Sequence, residues 1–334
     1  MKIWKYSYWD FAMLVLSIAQ FVTTLFLAVR WDHWSTVGWV TSFMLLTAMT
    51  VYNIIVVSHL FTHTPWFNSP QFNRLVSMLN SMNIGQSVQA YQLTHVRNHH
   101  RYNNDRKGAD GKTKDGSSTF RDASADEHVS VFRYAFGGAL ESLLSIGRAL
   151  LSVTRLWRVG EHEQELLGLA AKTPFRRTRE LRQIQLDRMA HFLAIGLFLT
   201  ISWKWFLLCY LPAFFLSLAF VNIQNYYEHY GALPENTYAN SVSYYGRVYN
   251  LLTFNDGYHQ EHHLRPLTHW TQMPRVRHAC SDKLDSTERI ISPVPALLGA
   301  FHLNRKQLHR QHTVTVVSLT VQPESKLFSK AAGR

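Results

Sequence analysis

The amino-acid sequence predicts an all-α integral membrane protein, with two transmembrane helical hairpins beneath a cytosolic helical cap. Three observations lead to this fold class. Apolar segments long enough to cross a bilayer alternate with strongly basic segments, in a chain of 334 residues with a net charge of +12. Most of the basic residues fall on one side of the predicted spans, as is typical of membrane proteins. Histidines cluster where apolar segments end.

The first hairpin is predicted from two apolar segments near the start of the chain. Residues 11–29 are apolar throughout and about long enough to cross a bilayer as a helix. A short polar break containing Trp31 and Trp34 separates them from a second span at 37–57. Open strands cannot cross hydrocarbon, so the pair is predicted to be helical. The residues before Phe11 have no small-residue cleavage site, and we expect the first span to be retained.

The second hairpin is predicted from a longer apolar stretch, which runs from Met189 to Ile223. A single span of that length would exceed the thickness of the hydrocarbon core. The stretch has one strong interruption, at Lys204 between two tryptophans. Two spans at 189–203 and 205–224, with a tight turn at Lys204, fit this pattern.

The remaining chain is predicted to form the cytosolic parts, residues 59–188 and 225–312. Residues 101–126 carry turn-forming side chains and almost nothing to bury, so we expect a mobile loop there. The last residues, 313–334, lack helical periodicity and are expected to be a flexible tail. The membrane domain would then cover residues 1–312.

The charge distribution orients the hairpins. The segment between the second and third spans is rich in Lys and Arg, whereas the two opposite turns contain Arg30 and Lys204. This asymmetry places both termini and all the histidine clusters on the cytoplasmic side.

Cys209 and Cys280 lie in an apolar and a polar segment, so no disulfide is expected, which fits a reducing compartment. We expect the inner membrane of a bacterium.

A net charge of +12 is also found in nucleic-acid-binding proteins. The sequence, however, has no helix-turn-helix, zinc-finger or RNA-binding motif. Its 10 Trp and 20 Phe lie largely in long apolar runs, and basic residues beside such runs attract anionic lipid headgroups. A lipid bilayer is therefore the expected partner, and nucleic acid is not.

Nine of the 18 histidines fall in four clusters at or near span ends. They are His59 and His63; His95, His99 and His100; His229; and His259, His262 and His263. Histidines four residues apart share a helix face, whereas His100 is turned about 100° from His99. His100 could therefore serve a different metal from His99, or the same metal from another side. Imidazole suits Zn, Cu, Fe and Ni, and nine rings exceed what one ion can bind, so two metals are implied.

Other interpretations of the histidines fit the pattern less well. A single HxxxH pair is weak evidence, because most such pairs are surface or core histidines. The nine other histidines are interpreted as ordinary residues that bind no metal. Among these nine, His128 and His269 come nearest to being candidate ligands. A structural zinc site would be four-coordinate and usually rich in cysteine. A non-catalytic membrane metal-binding or transport protein would place histidines or acids within the spans, whereas these clusters lie at span ends.

The motifs HLFTH at 59–63, HVRNHH at 95–100 and HQEHH at 259–263 together resemble the membrane-bound fatty acid desaturase and hydroxylase superfamily, which includes the alkane monooxygenases. Asn225 and His229 resemble the Asn-x-x-x-His element of stearoyl-CoA desaturases, whose histidine binds iron and whose asparagine acts through a water. The resemblance implies that the nine clustered histidines are iron ligands and that Asn225 binds through water. It implies a histidine-rich di-metal site held by the cytosolic cap.

The resemblance further implies two non-haem Fe ions, O2 as co-substrate and two external electrons per turnover. The substrate would be a fatty acyl or long alkyl chain, oxidised at an unactivated C–H bond. Residues 255–266 resemble acyl-lipid and sphingolipid desaturases, whereas Glu228 to Gly231 resemble alkane monooxygenases. Those monooxygenases usually carry an acidic residue where this chain has Leu60. Desaturation is the leading expectation, and hydroxylation is the alternative.

Three acidic residues lie within or beside the histidine motifs. Glu228, Asp256 and Glu261 are predicted to accept the second ring proton of ligating histidines, which orients the rings; solvated charge is the alternative. The sequence has no cytochrome b5-like haem motif and no cysteine pattern for an iron–sulfur cluster. A separate electron donor is therefore expected: a ferredoxin, a rubredoxin, or a cytochrome with its reductase. The basic cytoplasmic surface would suit an acidic partner.

Overall fold

The computed structural model describes residues 2–123, 127–153 and 161–302. The tail predicted for 313–334 lies outside these ranges. Within them the chain forms α-helices with short 3-10 and π-helical turns and no β-sheet. Two isolated bridges join Trp4 to Phe67 and Ser243 to Ile291. The all-α class is therefore confirmed for the described part of the chain.

The first hairpin begins with α1 (Asp10–Arg30), followed by a 3-10 turn. It continues with α2 (Thr36–Tyr52), a π-helical turn (Asn53–Ser58) and α3 (His59–His63). No break separates the last three elements, so the helix extends past the predicted end of the span. The helix itself therefore carries the first two clustered histidines to the site.

The segment between the hairpins starts with two helices at a sharp corner. These are α4 (Pro70–Ile84) and α5 (Val88–Thr94). Gly85 ends α4 in the left-handed conformation, with φ of 70°. A π-helical turn (His95–His99) and the short α6 (His100–Tyr102) then carry the second histidine cluster.

The second hairpin follows α7 (Gly138–Val153) and α8 (Glu161–Leu169). It consists of α9 (Pro174–Trp205) and α10 (Leu211–His229), joined by a π-helical turn. The helix breaks at Ser202, where φ is −157° and ψ is 98°. The turn predicted at Lys204 is thus slightly displaced. The Ser202 Oγ accepts from Trp205 N at 3.2 Å, a helix-capping bond that lysine cannot make.

The chain reverses direction at this break. The rings of Phe198 and Tyr210 have centroids 5.3 Å apart, whereas a straight helix would separate those residues by about 18 Å. Phe198 and the neighbouring Trp205 are completely or almost completely buried, with exposed fractions of 1% and 0%. α9 therefore packs against the π-helical turn that follows it, and α10 leaves this turn in the reverse direction.

In the described part of the chain, three helical stretches are long and apolar enough to cross a membrane. They are Asp10–His33, Thr36–His63 and Pro174–His229. The third contains the hairpin just described. Large apolar side chains such as Val22 and Val40 remain exposed on the outer faces of α1 and α2, as expected where lipid replaces water. These features support an integral membrane protein.

A buried carboxylate ties the second hairpin to the helices before the second histidine cluster. Asp187 of α9 accepts hydrogen bonds from Ser77 Oγ, Ser87 Oγ and Gln89 N at 3.0, 2.9 and 3.0 Å. Its exposed fraction is 0%. An unpaired carboxylate in such a place would be strongly unfavourable, so these bonds fix α9 against α4 and α5.

The loop at 101–126 is more compact than its composition indicates. Asp115, Thr119 and Phe120 are buried, so the expectation that this segment buries almost nothing is wrong. Its polar side chains bond locally to the backbone: Asp105 accepts from Asp115 N at 2.9 Å, and Asn104 accepts from Thr119 N at 2.7 Å. Such bonds fold a chain that forms neither helix nor strand. Residues 124–126 lie outside the described ranges.

Between α10 and residue 302 the chain forms four short α-helices. They are α11 (Arg247–Leu252), α12 (His259–Leu264), α13 (Met273–Ala279) and α14 (Ser281–Ser286). α12 carries the last histidine cluster. α13 packs against α12, and α14 packs against α13, as part of a helical layer at one end of the hairpins.

The corner at Gly85 gives a prediction about stability. Gly85 and Gly111 have similar positive φ values, +70° and +73°, so alanine at either site should cost about 1 kcal/mol in backbone strain. A β-carbon at Gly85 would also lie 2.3 Å from the Phe214 ring, whereas one at Gly111 would meet no described atom within 4 Å. Overpacking should add about 1–3 kcal/mol to the cost of Gly85→Ala. Thermal unfolding of both variants in detergent checks this; equal losses would contradict the packing at Gly85.

Candidate metal centre

All nine clustered histidines meet in one site, delivered by four parts of the fold. α3 contributes two, the π-helical turn and α6 contribute three, the end of α10 contributes one, and α12 contributes three. Seven of the rings are buried and the other two, His95 and His100, are half-buried. His128 and His269, the closest to exceptions among the other histidines, lie outside both groups.

The nine rings divide into two groups. In the first group, one ring nitrogen of each histidine lies within 4.8 Å of those of the others. Its members are His59, His63, His95, His100 and His262. The second group meets the same limit with His99, His229 and His263. His259 adjoins the second group, because its Nε2 lies 3.4 Å from His229 Nε2.

The π-helical turn distributes the second sequence cluster between the two groups. In an α-helix, residues five apart point about 140° away from each other. The wider π turn brings His95 and His100 onto one face, with their Nε2 atoms 3.1 Å apart. His99 stacks on His95, with centroids 5.2 Å apart, yet belongs to the other group. The HxxxH spacing alone therefore did not predict which ring joins which metal.

Hydrogen bonds to the outer ring nitrogens fix the tautomers in the second group. His99 Nδ1 lies 2.8 Å from a carboxylate oxygen of Asp115, and His229 Nδ1 lies 3.1 Å from Asn240 O. His263 Nδ1 lies 2.8 Å from Asn103 Oδ1. Since all three partners are acceptors, each Nδ1 carries the proton. Each Nε2 of the neutral ring then presents a lone pair to the interior of the group.

Those lone pairs face one another. His99 Nε2 and His229 Nε2 lie 3.1 Å apart, and His263 Nε2 is buried without a hydrogen-bond partner among the described atoms. Two unprotonated nitrogens at this distance repel unless a cation binds both. Two ligands about 2.1 Å from one metal and at right angles to each other would be about 3.0 Å apart. The spacing therefore fits a shared metal ion.

The first group shows the same pattern. His59 Nδ1 donates to Ile55 O at 3.0 Å, which leaves Nε2 as an acceptor 3.1 Å from His262 Nε2. Both ring nitrogens of His63 are buried without a hydrogen-bond partner in the described structure. A buried polar atom without a partner is costly, and a metal ligated by the ring removes that cost.

Protonation of the rings is disfavoured. Burial lowers the pKa of five imidazoles well below its ordinary value, and neighbouring imidazoles lower it further. They are His95, His100, His259, His262 and His263. Neutral rings keep their lone pairs free at neutral pH, which metal binding requires. The residues present therefore fit two metal ions, one in each group.

Of the three acidic residues predicted to orient ligands, two lie beside ligand rings. An Asp256 oxygen lies 3.5 Å from His59 Nδ1, and Asp256 also accepts from the Tyr249 hydroxyl at 3.0 Å. A Glu228 oxygen lies 3.7 Å from His259 Nε2. Both distances exceed a direct hydrogen bond, so these carboxylates act mainly through the local charge.

Glu261 has a different role from the predicted one. Its carboxylate accepts from Ser243 Oγ at 2.9 Å and from Tyr245 OH at 2.6 Å, and lies 3.7 Å from Arg277. None of its hydrogen-bond or ion-pair partners in the described structure is an imidazole. It faces away from the metal groups because adjacent residues of α12 point in different directions, and it anchors this helix to the segment before α11.

Asn225 lies one helical turn before His229, as its motif implies. Its amide nitrogen donates to the Tyr134 hydroxyl at 2.5 Å, and that hydroxyl donates to Ser117 O at 2.6 Å. The amide oxygen is therefore the end of the side chain that can accept from a water. A water-mediated contact with the second metal group remains a prediction.

Asp115 is a site residue that the sequence did not reveal. Besides His99, its carboxylate accepts from Asn104 N and Ser117 N, both at 2.8 Å. Burial alone would raise the pKa of Asp115, but His99 and Ser117 outweigh it and hold the pKa below its usual value. The sequence around Asp115 is typical of a turn, and no characteristic spacing relates Asp115 to the histidine motif.

Asp10 supports the site from a greater distance. It is fully buried and accepts from His269 Nε2 at 3.0 Å and from Trp270 Nε1 at 2.9 Å. Trp270 O in turn accepts from Asn255, which adopts the left-handed conformation with φ of 64°. The start of α1 thus stabilises the strained turn that presents Asp256.

The contact between Asp115 and His99 gives a test of metal binding. Asp115→Asn removes the charge that orients His99 and should weaken metal binding by about 10–100-fold. Metal titration of the metal-free protein, followed by the optical spectrum of bound Co²⁺, measures this. Asp110→Asn, an exposed change in the same loop, is the control. Unchanged affinity in Asp115→Asn would show that this carboxylate does not support the metal.

The lowered histidine pKa values predict a pH dependence for the metal-free protein. Unfolded histidines take up protons below their ordinary pKa of about 6.5, whereas the buried rings resist protonation. The free energy of unfolding should therefore fall as the pH drops below about 6.5, by at most about 1.4 kcal/mol for each unit of pKa depression per histidine. Thermal unfolding between about pH 8 and about pH 5.5 checks this. A midpoint temperature of unfolding that stays constant or rises on acidification would contradict this pH dependence.

Comparisons with known proteins agree with the geometry. The sequence profile of the fatty acid desaturase family matches residues 35–292, which is well over half of the chain. A sphingolipid delta(4)-desaturase of Candida albicans is 42% identical over 60 residues, which cover 18% of this chain and 15% of the relative's length. No solved structure matches significantly. The resemblance seen in the histidine motifs is thereby confirmed, and the chain belongs to the fatty acid desaturase family.

Proposed function

We propose that this protein is a membrane-embedded di-iron oxidase that uses O2 to introduce a double bond into a fatty acyl or long alkyl chain. The observation that carries the proposal is the pair of unprotonated nitrogens, His99 Nε2 and His229 Nε2, 3.1 Å apart in a buried site. The second group of five histidines beside it supports a second metal. Family membership supports the type of reaction.

The family favours iron, and this ligand set can accommodate it. The two groups consist of imidazoles, which suit iron as well as zinc, copper and nickel. Cys209 and Cys280 belong to neither group. The proposed ligands are those of the two groups with His259, and Asn225 would contribute through a water. Bound iron would supply the redox chemistry that activates dioxygen.

The proposed reaction balances as follows. A saturated CH2–CH2 unit loses two hydrogen atoms and becomes CH=CH. The substrate supplies two electrons and two protons, and an external donor supplies two electrons with two protons from solvent. O2 accepts all four electrons and leaves as two waters. Hydroxylation, the alternative outcome, would instead leave one oxygen atom on the carbon.

The protein's own residues set the conditions for this reaction. Asp115 and the backbone oxygens of Ile55 and Asn240 hold the outer ring protons of His99, His59 and His229. The rings are thereby locked with Nε2 toward the metals. The burial of His229 and its neighbours excludes bulk water, which limits the loss of a reactive oxidant to solvent.

The membrane arrangement is part of the proposal. Asp187 in the first half of the third helical stretch and His229 at its end both adjoin the metal-site layer, which supports a stretch that returns to the side from which it started. Two crossings by this hairpin and two by the first would give four spans. The charge asymmetry then places the site in the cytoplasm, with the inner membrane of a bacterium as the expected location.

The two electrons would come from a separate donor, a ferredoxin, a rubredoxin or a cytochrome with its reductase. Arg101, Lys112 and Lys114 are exposed on the loop beside the second histidine cluster. Such a surface favours an acidic partner, and docking should weaken as ionic strength rises.

Desaturation is preferred over hydroxylation because the relative that matches part of the chain is a sphingolipid delta(4)-desaturase. That relative is matched over only 15% of its length, so its substrate does not transfer to this chain. The proposed substrate class is therefore a long acyl or alkyl chain without a stated carrier.

Analysis of lipids from an expressing host under labelled O2 tests the reaction. The expected product lacks two hydrogen atoms and carries no label. His262→Ala removes a first-group ligand and should abolish the product, whereas His278→Ala changes an exposed histidine of the same segment and should retain it. Both variants must be present in membranes at comparable levels.

Other outcomes have defined meanings. A product that carries one labelled oxygen atom would establish hydroxylation instead. Loss of bound iron in His262→Ala without loss of any oxidised lipid would favour a non-catalytic metal-binding or transport protein. Activity of the purified chain with NAD(P)H alone would overturn the separate electron donor.

A further inference from the structure

Helix α11 turns three apolar side chains away from the protein. Val248, Leu251 and Leu252 are 72%, 79% and 62% exposed. Residues three and four apart share one face of a helix, so the three form a single apolar strip. The opposite face contains Asn250, which is buried and donates to Gly246 O at 3.0 Å. The helix is therefore amphipathic, with its polar side toward the protein and its apolar side outward.

The depth of α11 follows from its contact with the second candidate span. The Tyr52 hydroxyl donates to Leu252 O at 2.5 Å. Tyr52 precedes His59 by seven residues of one helical stretch, which places it roughly 10 Å from the histidines toward the membrane. Side chains of a helix also lean toward its N-terminus, which here lies deeper in the membrane. Leu252 is thus at the level of the span rather than in the helical layer around the metals.

The inner side of α11 reaches the metal centre. The Tyr249 hydroxyl donates to Asp256 at 3.0 Å, and Asp256 lies 3.5 Å from His59 Nδ1. Gln224 of α10 lies 3.4 Å from the same hydroxyl. Helix α11 therefore lies between the outer surface and the first metal group, and its Tyr249 side chain reaches the Asp256 carboxylate beside that group.

We infer that α11 is an in-plane membrane helix whose Val248, Leu251 and Leu252 side chains insert among the acyl chains of the bilayer. Its depth and its exposed strip place it where lipid surrounds the neighbouring span, and short helices of this kind bury their apolar face at the headgroup boundary. The exposed Arg247 at its start suits anionic headgroups. The inference rests on the membrane orientation in the proposed function.

Spin labelling measures the depth directly. Cys209→Ala and Cys280→Ser provide a background without cysteine, and the metal-loaded protein is reconstituted in phosphatidylcholine–phosphatidylglycerol vesicles. Leu251→Cys and, independently, Val248→Cys carry the nitroxide label. Each label's collision rate with O2, which concentrates in lipid, is compared with that for a water-soluble nickel chelate.

Two reference positions calibrate the result. Val40→Cys lies on the outer face of α2, where Val40 is 57% exposed, and Ser286→Cys is exposed at the end of α14. The ratio of O2 to nickel collisions at Leu251 and Val248 should match Val40 and exceed Ser286 several-fold. Ratios like that of Ser286, with Val40 in lipid, would overturn the inference and leave the membrane orientation intact.

Two further outcomes would also overturn it. A water-like ratio at Val40 itself would remove the membrane orientation and the inference together. Spin–spin broadening between labels at Leu251 would show that a second copy of the chain covers the strip instead of lipid.

Discussion

The protein depends on one constraint: buried, neutral imidazoles must hold their lone pairs close together. His99 Nε2 and His229 Nε2 lie 3.1 Å apart with their outer nitrogens already bound to acceptors. Without a cation this arrangement is repulsive, and with one it becomes a ligand set. The hairpins, the local hydrogen bonds of the loop at 101–126 and the buried carboxylates all help to maintain this arrangement of the rings. The same constraint explains why most of the rings are buried, because access by bulk water would allow the rings to separate and protonate.

The scaffold meets this constraint by linking distant parts of the chain with buried polar contacts. Asp187 fixes the second hairpin to the helices before the second histidine cluster, and Asp10 fixes the start of the first hairpin to Trp270 beside the last cluster. Asp115 acts directly on His99. Each carboxylate has several donors, so its burial is compensated. Three acidic residues outside the histidine motifs thus support the arrangement in which the histidines meet.

The all-α class and the gathering of the nine histidines could be predicted from the sequence, because apolar length and histidine spacing are local patterns. Their division between two groups could not, since it depends on the π-helical turn at His95–His99, which the spacing does not specify. The break at Ser202 lies next to the more conspicuous Lys204 because backbone capping, rather than charge, decides where a helix ends. The contact of Asp115 with His99 and the partners of Glu261 could not be predicted, because the orientation of a side chain depends on tertiary packing.

The proposed reaction requires two iron ions, one in each histidine group. Mössbauer spectroscopy of protein produced with ⁵⁷Fe, combined with elemental analysis of the same sample, tests it most directly. We expect two irons per chain, with spectra of nitrogen-rich, high-spin sites. One metal per chain, or zinc at full occupancy in a protein that oxidises lipid, would contradict it.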